Sequence, residues 1–351
     1  MKSVKFGLLG LGRVVDSRIL DMFNNELKRA TVTAFYDKNK DKKNKVQKIL
    51  NCKASESSKE FFKSDFDYVY IATESGSHYK NILESFNNQK NVIVEKPPVL
   101  KVDQLIKLNN IAKKKKLDFF VVFQNRENKA VKYIKKIINK ELKKIIFVNL
   151  SLIWSRPQSY YSDWHGNWRM DGGVVAQQGI HYIDLLNHLL GKPSKCVSYI
   201  TNKTNKLQAE DTHCSMIIYK NNISCTVNLS TGFRPKDYEA SLNIYCKDKI
   251  YMLHGLCCNK ISIISLKKNK QTRKTLKNFS QEVKNGYGTS HREVFQKIVN
   301  YRLSKKKNKI LPLKSIETLD TLKLLNMMYK SFEKKTWINI SNKNLNSKLG
   351  K

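Results

Sequence analysis

At 351 residues, with 40% hydrophobic and 27% charged side chains, the chain has the length for two domains with a core in each, and its composition excludes a disordered polymer. Lys and Arg number 66 against 29 Asp and Glu, a net charge of +37 that attracts polyanions, but the lysines are spread along the whole chain. A diffuse charge without a nucleic-acid motif reads as compositional bias rather than as a nucleic-acid site; no run approaches the roughly 20 apolar residues of a membrane span.

The first strand starts at Val4, with no leader-like segment before it, and the expectation is a cytoplasmic protein. Seven cysteines (Cys52, Cys196, Cys214, Cys225, Cys246, Cys257 and Cys258) show neither CxxC nor metal-ligand spacing, which predicts buried thiols in a reducing compartment and no metal.

In chain order, strands are predicted at 4–9, 31–36, 68–72, 91–95 and 119–123, alternating with helices at 13–28, 46–50, 79–86 and 102–116. Continuous apolar strands alternating with helices predict a doubly wound parallel sheet over 1–123. From 124 the pattern changes. After a helix at 129–139, strands at 145–153, 197–201, 213–219, 224–230, 240–245 and 249–253 follow with little helix between them. Helices at 175–190, 290–302 and 316–331 punctuate them, so 124–351 is expected to be an α+β domain with an open-faced, largely antiparallel sheet. The Lys/Asn-rich stretches 267–278 and 304–309 read as exposed loops, and 341–351 as a frayed tail.

Gly7-Leu8-Leu9-Gly10-Leu11-Gly12-Arg13-Val14-Val15 follows a strand and opens a helix. Gly10 permits the tight turn, and Gly12 lets the backbone approach a pyrophosphate at the helix N-terminus. Val15 takes the position where a small third residue is usual, which should push the helix off the sheet. Asp37 ends the second strand, where a carboxylate accepts hydrogen bonds from the adenosine ribose and repels a 2′-phosphate, favouring NAD over NADP; Lys38 beside it pulls the other way. The alternative is a flavodoxin-like domain without a dinucleotide.

Two segments can carry chemistry. Glu95-Lys96-Pro97-Pro98 ends a parallel strand, where such sheets place ligands, and Pro97 keeps Lys96 extended. In so lysine-rich a chain, Lys96 taken alone reads as an ordinary surface residue. On a regular helix Gln177, His181, Asp184 and His188 share one polar face. A lone histidine there is more often a satisfied core residue; four polar groups in register point to a cleft wall.

These motifs, with Ile71-Ala72-Thr73 and His78, Gln124-Asn125-Arg126 and Gly179-Ile180-His181-Tyr182-Ile183-Asp184, resemble those of the Gfo/Idh/MocA oxidoreductases from end to end. Tyr160-Tyr161, Trp164 to Arg169, Asp171-Gly172-Gly173, Asp237 to Leu242 and Gly286 to His291 look closest to the branch that oxidises UDP-N-acetylglucosaminuronic acid at C3.

The resemblance implies NAD as cofactor, Lys96 steadying the reacting hydroxyl and His181 as general base. It implies cofactor contacts from Gly10, Gly12, Arg13, Val14, Asp37 and Thr73. It adds His78, Glu95, Lys96, Gln124, Trp168 and Arg169 to that set. Substrate contacts are implied for Lys96, Arg156, Tyr160, Tyr161 and Gln177, and for His181, Asp184, Tyr287 and His291. Arg156, Arg169, Arg234 and Lys236 suit an anionic substrate, while Tyr160, Tyr161 and Trp164 offer flat surfaces that serve equally as sheet packing. Many family members carry aspartate where Gln177 stands, and the uronate branch tends to an amide. Glu74 and Pro98 also depart from the common pattern. A homo-oligomer, dimer or tetramer, is implied through the open sheet face. The rival readings are a dehydrogenase of a free sugar or inositol, an NAD-binding sensor without activity, and a nucleic-acid binder motivated by charge alone.

Overall fold

A computed structural model describes residues 2–50, 52–267, 270–304 and 310–351. Its contacts divide the chain into two compact units: 1–99, 103–124 and 289–318 form the first, and 100–102, 125–288 and 319–351 the second.

The first unit holds β1 (Val4–Leu9), β2 (Ala30–Tyr36), α1 (Lys40–Gln47), α2 (Ser58–Lys63), β3 (Tyr68–Ile71), α3 (His78–Asn87), β4 (Asn91–Val94), most of α4 (Val102–Lys115) and β5 (Phe119–Val121). The strands pair in parallel in the order β2-β1-β3-β4-β5. Every residue of β3 is buried, as in a sheet covered on both faces. The segment following the glycine turn is helical as expected, but Val15–Ile19 and Met22–Glu26 are π-wound. Val15 is fully buried at the start of the first of these wider turns, so the missing small residue coincides with a local change of winding.

In the second unit, α5 (Lys129–Glu141), β6 (Ile145–Ile153), a π-wound segment Val175–Gly179, α6 (Ile180–Leu190), β7 (Pro193–Thr201), β8 (Thr212–Tyr219) and β9 (Ser224–Ser230) come first. Then follow β10 (Glu239–Cys246), β11 (Lys249–His254), β12 (Lys260–Lys267) and β13 (Lys270–Thr275). Next in sequence, α7 (His291–Leu303) belongs to the first unit, and α8 (Leu319–Lys334) and β14 (Ile338–Asn339) complete the second. The sheet order is β13-β12-β11-β10-β6-β9-β8-β7-β14, antiparallel except for the parallel pair β6 and β9. Val148, Leu150 and Leu152 of β6 point inward with Cys225, Val227 and Leu229 of β9, while the other face exposes Phe147, Tyr199 and Met216.

Two expectations are corrected. The loop expected over 267–278 is a strand from Lys270: β13 pairs antiparallel with β12. A polar, lysine-bearing edge strand has the composition of a loop because charge protects exposed edges from pairing. The tail is not frayed: Leu345, Ser347 and Leu349 are buried, Ser347 bonds the side chain of Asn326, and the Gly350 amide donates to Trp168 O at 2.8 Å. Of the other expected loop, 305–309 lies outside the described residues. Among the described residues no helix is long and apolar enough to cross a membrane, and no cluster of His, Cys, Asp or Glu could hold a metal.

Candidate functional site

In the first unit the glycine turn lies against the end of β3. Gly10 has φ +87°, and a Cβ there would lie 2.7 Å from Thr73 N; one on Gly12 would lie 2.9 Å from Ala72 O. Both positions exclude a side chain. Asp37 is bound into the same turn: Oδ2 accepts from Leu11 N at 2.7 Å and Oδ1 from Asn39 N at 2.8 Å. The carboxylate is thus held half-buried at the end of β2, where an adenosine ribose would lie. Arg13 is exposed and Val14 half-buried at the helix start.

Thr73 accepts from Asn81 Nδ2 through its hydroxyl at 2.7 Å. Glu95 is buried, receives the Tyr70 phenol at 2.7 Å, and has its carboxyl pushed upward by burial. The next residue, half-buried Lys96, precedes a cis peptide bond to Pro97. Gln124 is 2% exposed, and its Oε1 has no hydrogen-bond partner among the described residues. An orphaned buried amide oxygen and a glycine turn with no room for side chains both fit a dinucleotide.

Two histidines differ from the expected direct contacts. His78 is enclosed, with Nδ1 2.8 Å from Pro97 O and Nε2 3.2 Å from Thr73 O. Burial lowers its pKa to about 4, so it is neutral and donates from one nitrogen at a time. Its ring ties the Lys96-Pro97 segment to the Thr73 turn; it positions these segments, and no ring face is open to a cofactor. His291 is fully buried in the first unit, and neither ring nitrogen has a partner among the described residues. Burial, then Arg18 and Lys96, lower its pKa to about 3. The ring is neutral and enclosed in this structure.

In the second unit the polar face is interrupted. Gln177 falls in the π-wound segment and His181 on α6, so the 3.6-residue spacing does not carry from one to the other. Gln177 Nε2 donates to Asp171 Oδ1 at 2.7 Å, and His181 is 9% exposed. Asp184, expected among the substrate contacts, is wholly enclosed: Arg126 grips both its oxygens at 2.6 and 2.7 Å, and the Thr321 hydroxyl adds a bond at 3.0 Å. Its role is that of a buried counter-ion. His188 is half-buried with its pKa lowered to about 4 by burial.

The start of this helix rests on two residues outside every expected set. Glu210 accepts from Val175 N at 3.0 Å and from the Tyr329 phenol at 2.9 Å. Tyr329 in turn accepts from Gly173 N and Ala176 N. A Cβ on Gly173 would sit 2.1 Å from Glu210 O. The available signal was an adjacent acid pair, Glu210-Asp211, in so basic a chain.

Arg156 lies over the rings of Trp154 (5.0 Å) and Tyr160 (5.4 Å) and pairs with Asp237 at 2.7 Å. Tyr160 packs on Tyr161, whose phenol meets the Thr231 hydroxyl at 2.8 Å. Trp164 stacks on His165, and Trp168 packs edge-on against Tyr329. Arg169 is exposed and Tyr287 half-buried. Arg234 is exposed and donates to Asn205 Oδ1 at 3.0 Å.

Residues 4–123 match the sequence profile of the NAD-binding Rossmann fold of the Gfo/Idh/MocA oxidoreductase family, and 134–340 that of its C-terminal alpha/beta domain. An uncharacterized oxidoreductase of Synechocystis is 23% identical over 46% of this chain and 48% of its own length, so the match spans about half of that relative. An oxidoreductase of Formosa agariphila is 24% identical over 63% of this chain and 70% of its own. The WlbA dehydrogenase of Bordetella pertussis, solved with NADH and UDP-GlcNAcA, has a TM-score of 0.83 at 23% identity, covering 97% of this chain and 98% of that one. A levoglucosan dehydrogenase solved with NADH also reaches 0.83, at 14% identity, over 97% and 100%.

Proposed function

The chain belongs to the Gfo/Idh/MocA oxidoreductase family, with an NAD-binding Rossmann domain, and from that premise we propose that it oxidises C3 of a UDP-linked N-acetylhexosaminuronic acid to a ketone. One observation carries the reading: the Gln177 amide is bonded to Asp171 of the Asp171-Gly172-Gly173 motif. An amide accepts no proton, so the acceptor on this helix is His181. The amide is also the residue that the uronate branch resemblance calls for. WlbA dehydrogenases bound to UDP-GlcNAcA are among the structures of the same fold, as are levoglucosan dehydrogenases.

A sugar hydroxyl is a weak acid, so its proton must leave to a positioned base as hydride departs. His181 takes that proton, and the Lys96 ammonium at the end of β4 is the cation that steadies developing negative charge. NAD supplies the hydride acceptor. Asp37 holds the adenosine ribose, and the Gly10–Gly12 turn receives the pyrophosphate. Arg156, backed by the Trp154 and Tyr160 rings, serves the anionic part of the substrate. The enzyme works in the cytoplasm, in making sugars for surface polysaccharide, as a homo-oligomer that covers Phe147, Tyr199 and Met216 of the open sheet.

The test is NADH formation with UDP-N-acetylglucosaminuronate, UDP-N-acetylglucosamine, inositol and free hexoses, with an oxoacid present to recycle bound NADH. Turnover confined to the uronate is expected. Efficient oxidation of inositol or a hexose, with none of the uronate, overturns the proposal.

A further inference from the structure

We infer that the Arg126–Asp184 pair is a positioning device that sets the rotation of α6 and so the direction in which His181 points; this rests on His181 being the base. Three elements meet at Asp184: the short helical turn Gln124–Glu127 brings Arg126, α6 brings the carboxylate, and α8 brings Thr321. Both guanidinium contacts are short, and the side chains are 16% and 1% exposed. Asp184 follows His181 by three residues on the same α-helix, so the two share a face.

The need for such a device comes from the helix itself. Immediately before α6 the winding is π, so its phase is not inherited from a continuous α ladder. Most other side chains of α6 are apolar and buried (Ile180, Ile183, Leu185, Leu186, Leu189 and Leu190), and its further side-chain bonds are single ones, among them those from the Tyr182 phenol to Leu256 O at 3.0 Å and from the Tyr219 phenol to Asn187 Oδ1 at 3.0 Å. Apolar packing is non-directional and tolerates small rotations. A two-pronged guanidinium–carboxylate contact is directional and does not. Stability does not account for the pair, since a buried ion pair is commonly matched or exceeded by apolar residues of similar size.

That difference gives the test. The double variant Arg126→Met/Asp184→Leu is expected to fold, with a melting temperature at or above that of the parent and unchanged NADH affinity. Its turnover of the oxidised sugar should fall on the order of 10–100-fold with KM little changed. The primary deuterium isotope effect should rise as hydride transfer becomes limiting. Arg126→Lys, which keeps the charge and loses the fork, should lose turnover in the same direction. In histidine-labelled protein, the ring signal absent from His181→Ala should shift or double in both variants while the His165 signal stays. Parent-like turnover, isotope effect and His181 signal in the folded double variant overturn the inference. A parent enzyme that oxidises no sugar while the His181 signal still responds would instead sink the proposed reaction and leave the positioning role supported.

Discussion

The Tyr329 phenol donates to the Glu210 carboxyl at 2.9 Å, across 119 residues of sequence, with both side chains sealed from solvent. Between them they bond the backbone amides of Gly173, Val175 and Ala176, where the helix leading to His181 begins. Burial pushes the Glu210 carboxyl up to about 8 from its ordinary 4.5. The folded acid therefore holds its proton more tightly than the unfolded one, and folding takes up a proton between those values. Stability is expected to drain as pH rises through that window. Glu210→Gln imitates the neutral acid, so its unfolding free energy relative to the parent should improve between pH 5 and pH 8.5. Each tenfold gain in proton affinity on folding corresponds to about 1.4 kcal/mol, which puts the change at a few kcal/mol. Urea unfolding of both proteins at the two pH values reads it, and a pH-independent difference refutes the neutral-acid assignment.

Gly173 lies directly against this pair. Alanine there would place Cβ 2.1 Å from Glu210 O and 2.6 Å from Glu210 N, backbone atoms that no rotamer change can move. Gly173→Ala should destabilise by on the order of 3 kcal/mol. The unfolding midpoint should drop with an unchanged denaturant slope. A stable Gly173→Ala protein with full turnover would mean that the chain relaxes around this contact.

Cofactor choice turns on Asp37. Its carboxylate is fixed by Leu11 N and Asn39 N, so it cannot swing away from a 2′-phosphate. NAD should bind more tightly than NADP, and Asp37→Ala should narrow the gap. Fluorescence titration of both reduced cofactors checks this, and equal affinities in the parent protein refute it.

For the chemistry, His181→Ala and Lys96→Ala should each cut turnover roughly 10²–10⁴-fold, the usual worth of a positioned acid–base group. The His181 variant should bind NADH as the parent does. Near-normal turnover in it would assign the proton to another residue.

Much of the frame was legible in sequence. Strands β6 and β9 have the expected bounds because their inward residues alternate cleanly, and the Gly10–Gly12 turn was marked by its glycines. The π windings were not legible, since apolar spacing read at 3.6 residues per turn assumes the winding it is used to find. That assumption placed Gln177 in line with His181. Asp184 and His291 looked available because sequence carries residue type and not enclosure. The Glu210–Tyr329 pair joins a loop to a helix far along the chain, and no local pattern records it.

The first unit is discontinuous, and this governs the order in which the protein can be built. Phe295 of α7 packs its ring against Phe6, Phe23 and Tyr70 at centroid distances of 6.0, 5.6 and 5.2 Å. A ribosome releases those three aromatic rings early and Phe295 only after every strand from β6 to β13 has been made. The amino-terminal sheet therefore waits, with an open aromatic core, while the later unit is synthesised in full. In this chain the domain that starts first is the one that finishes its core late, and an aromatic surface left open for that interval is the kind that invites misassociation.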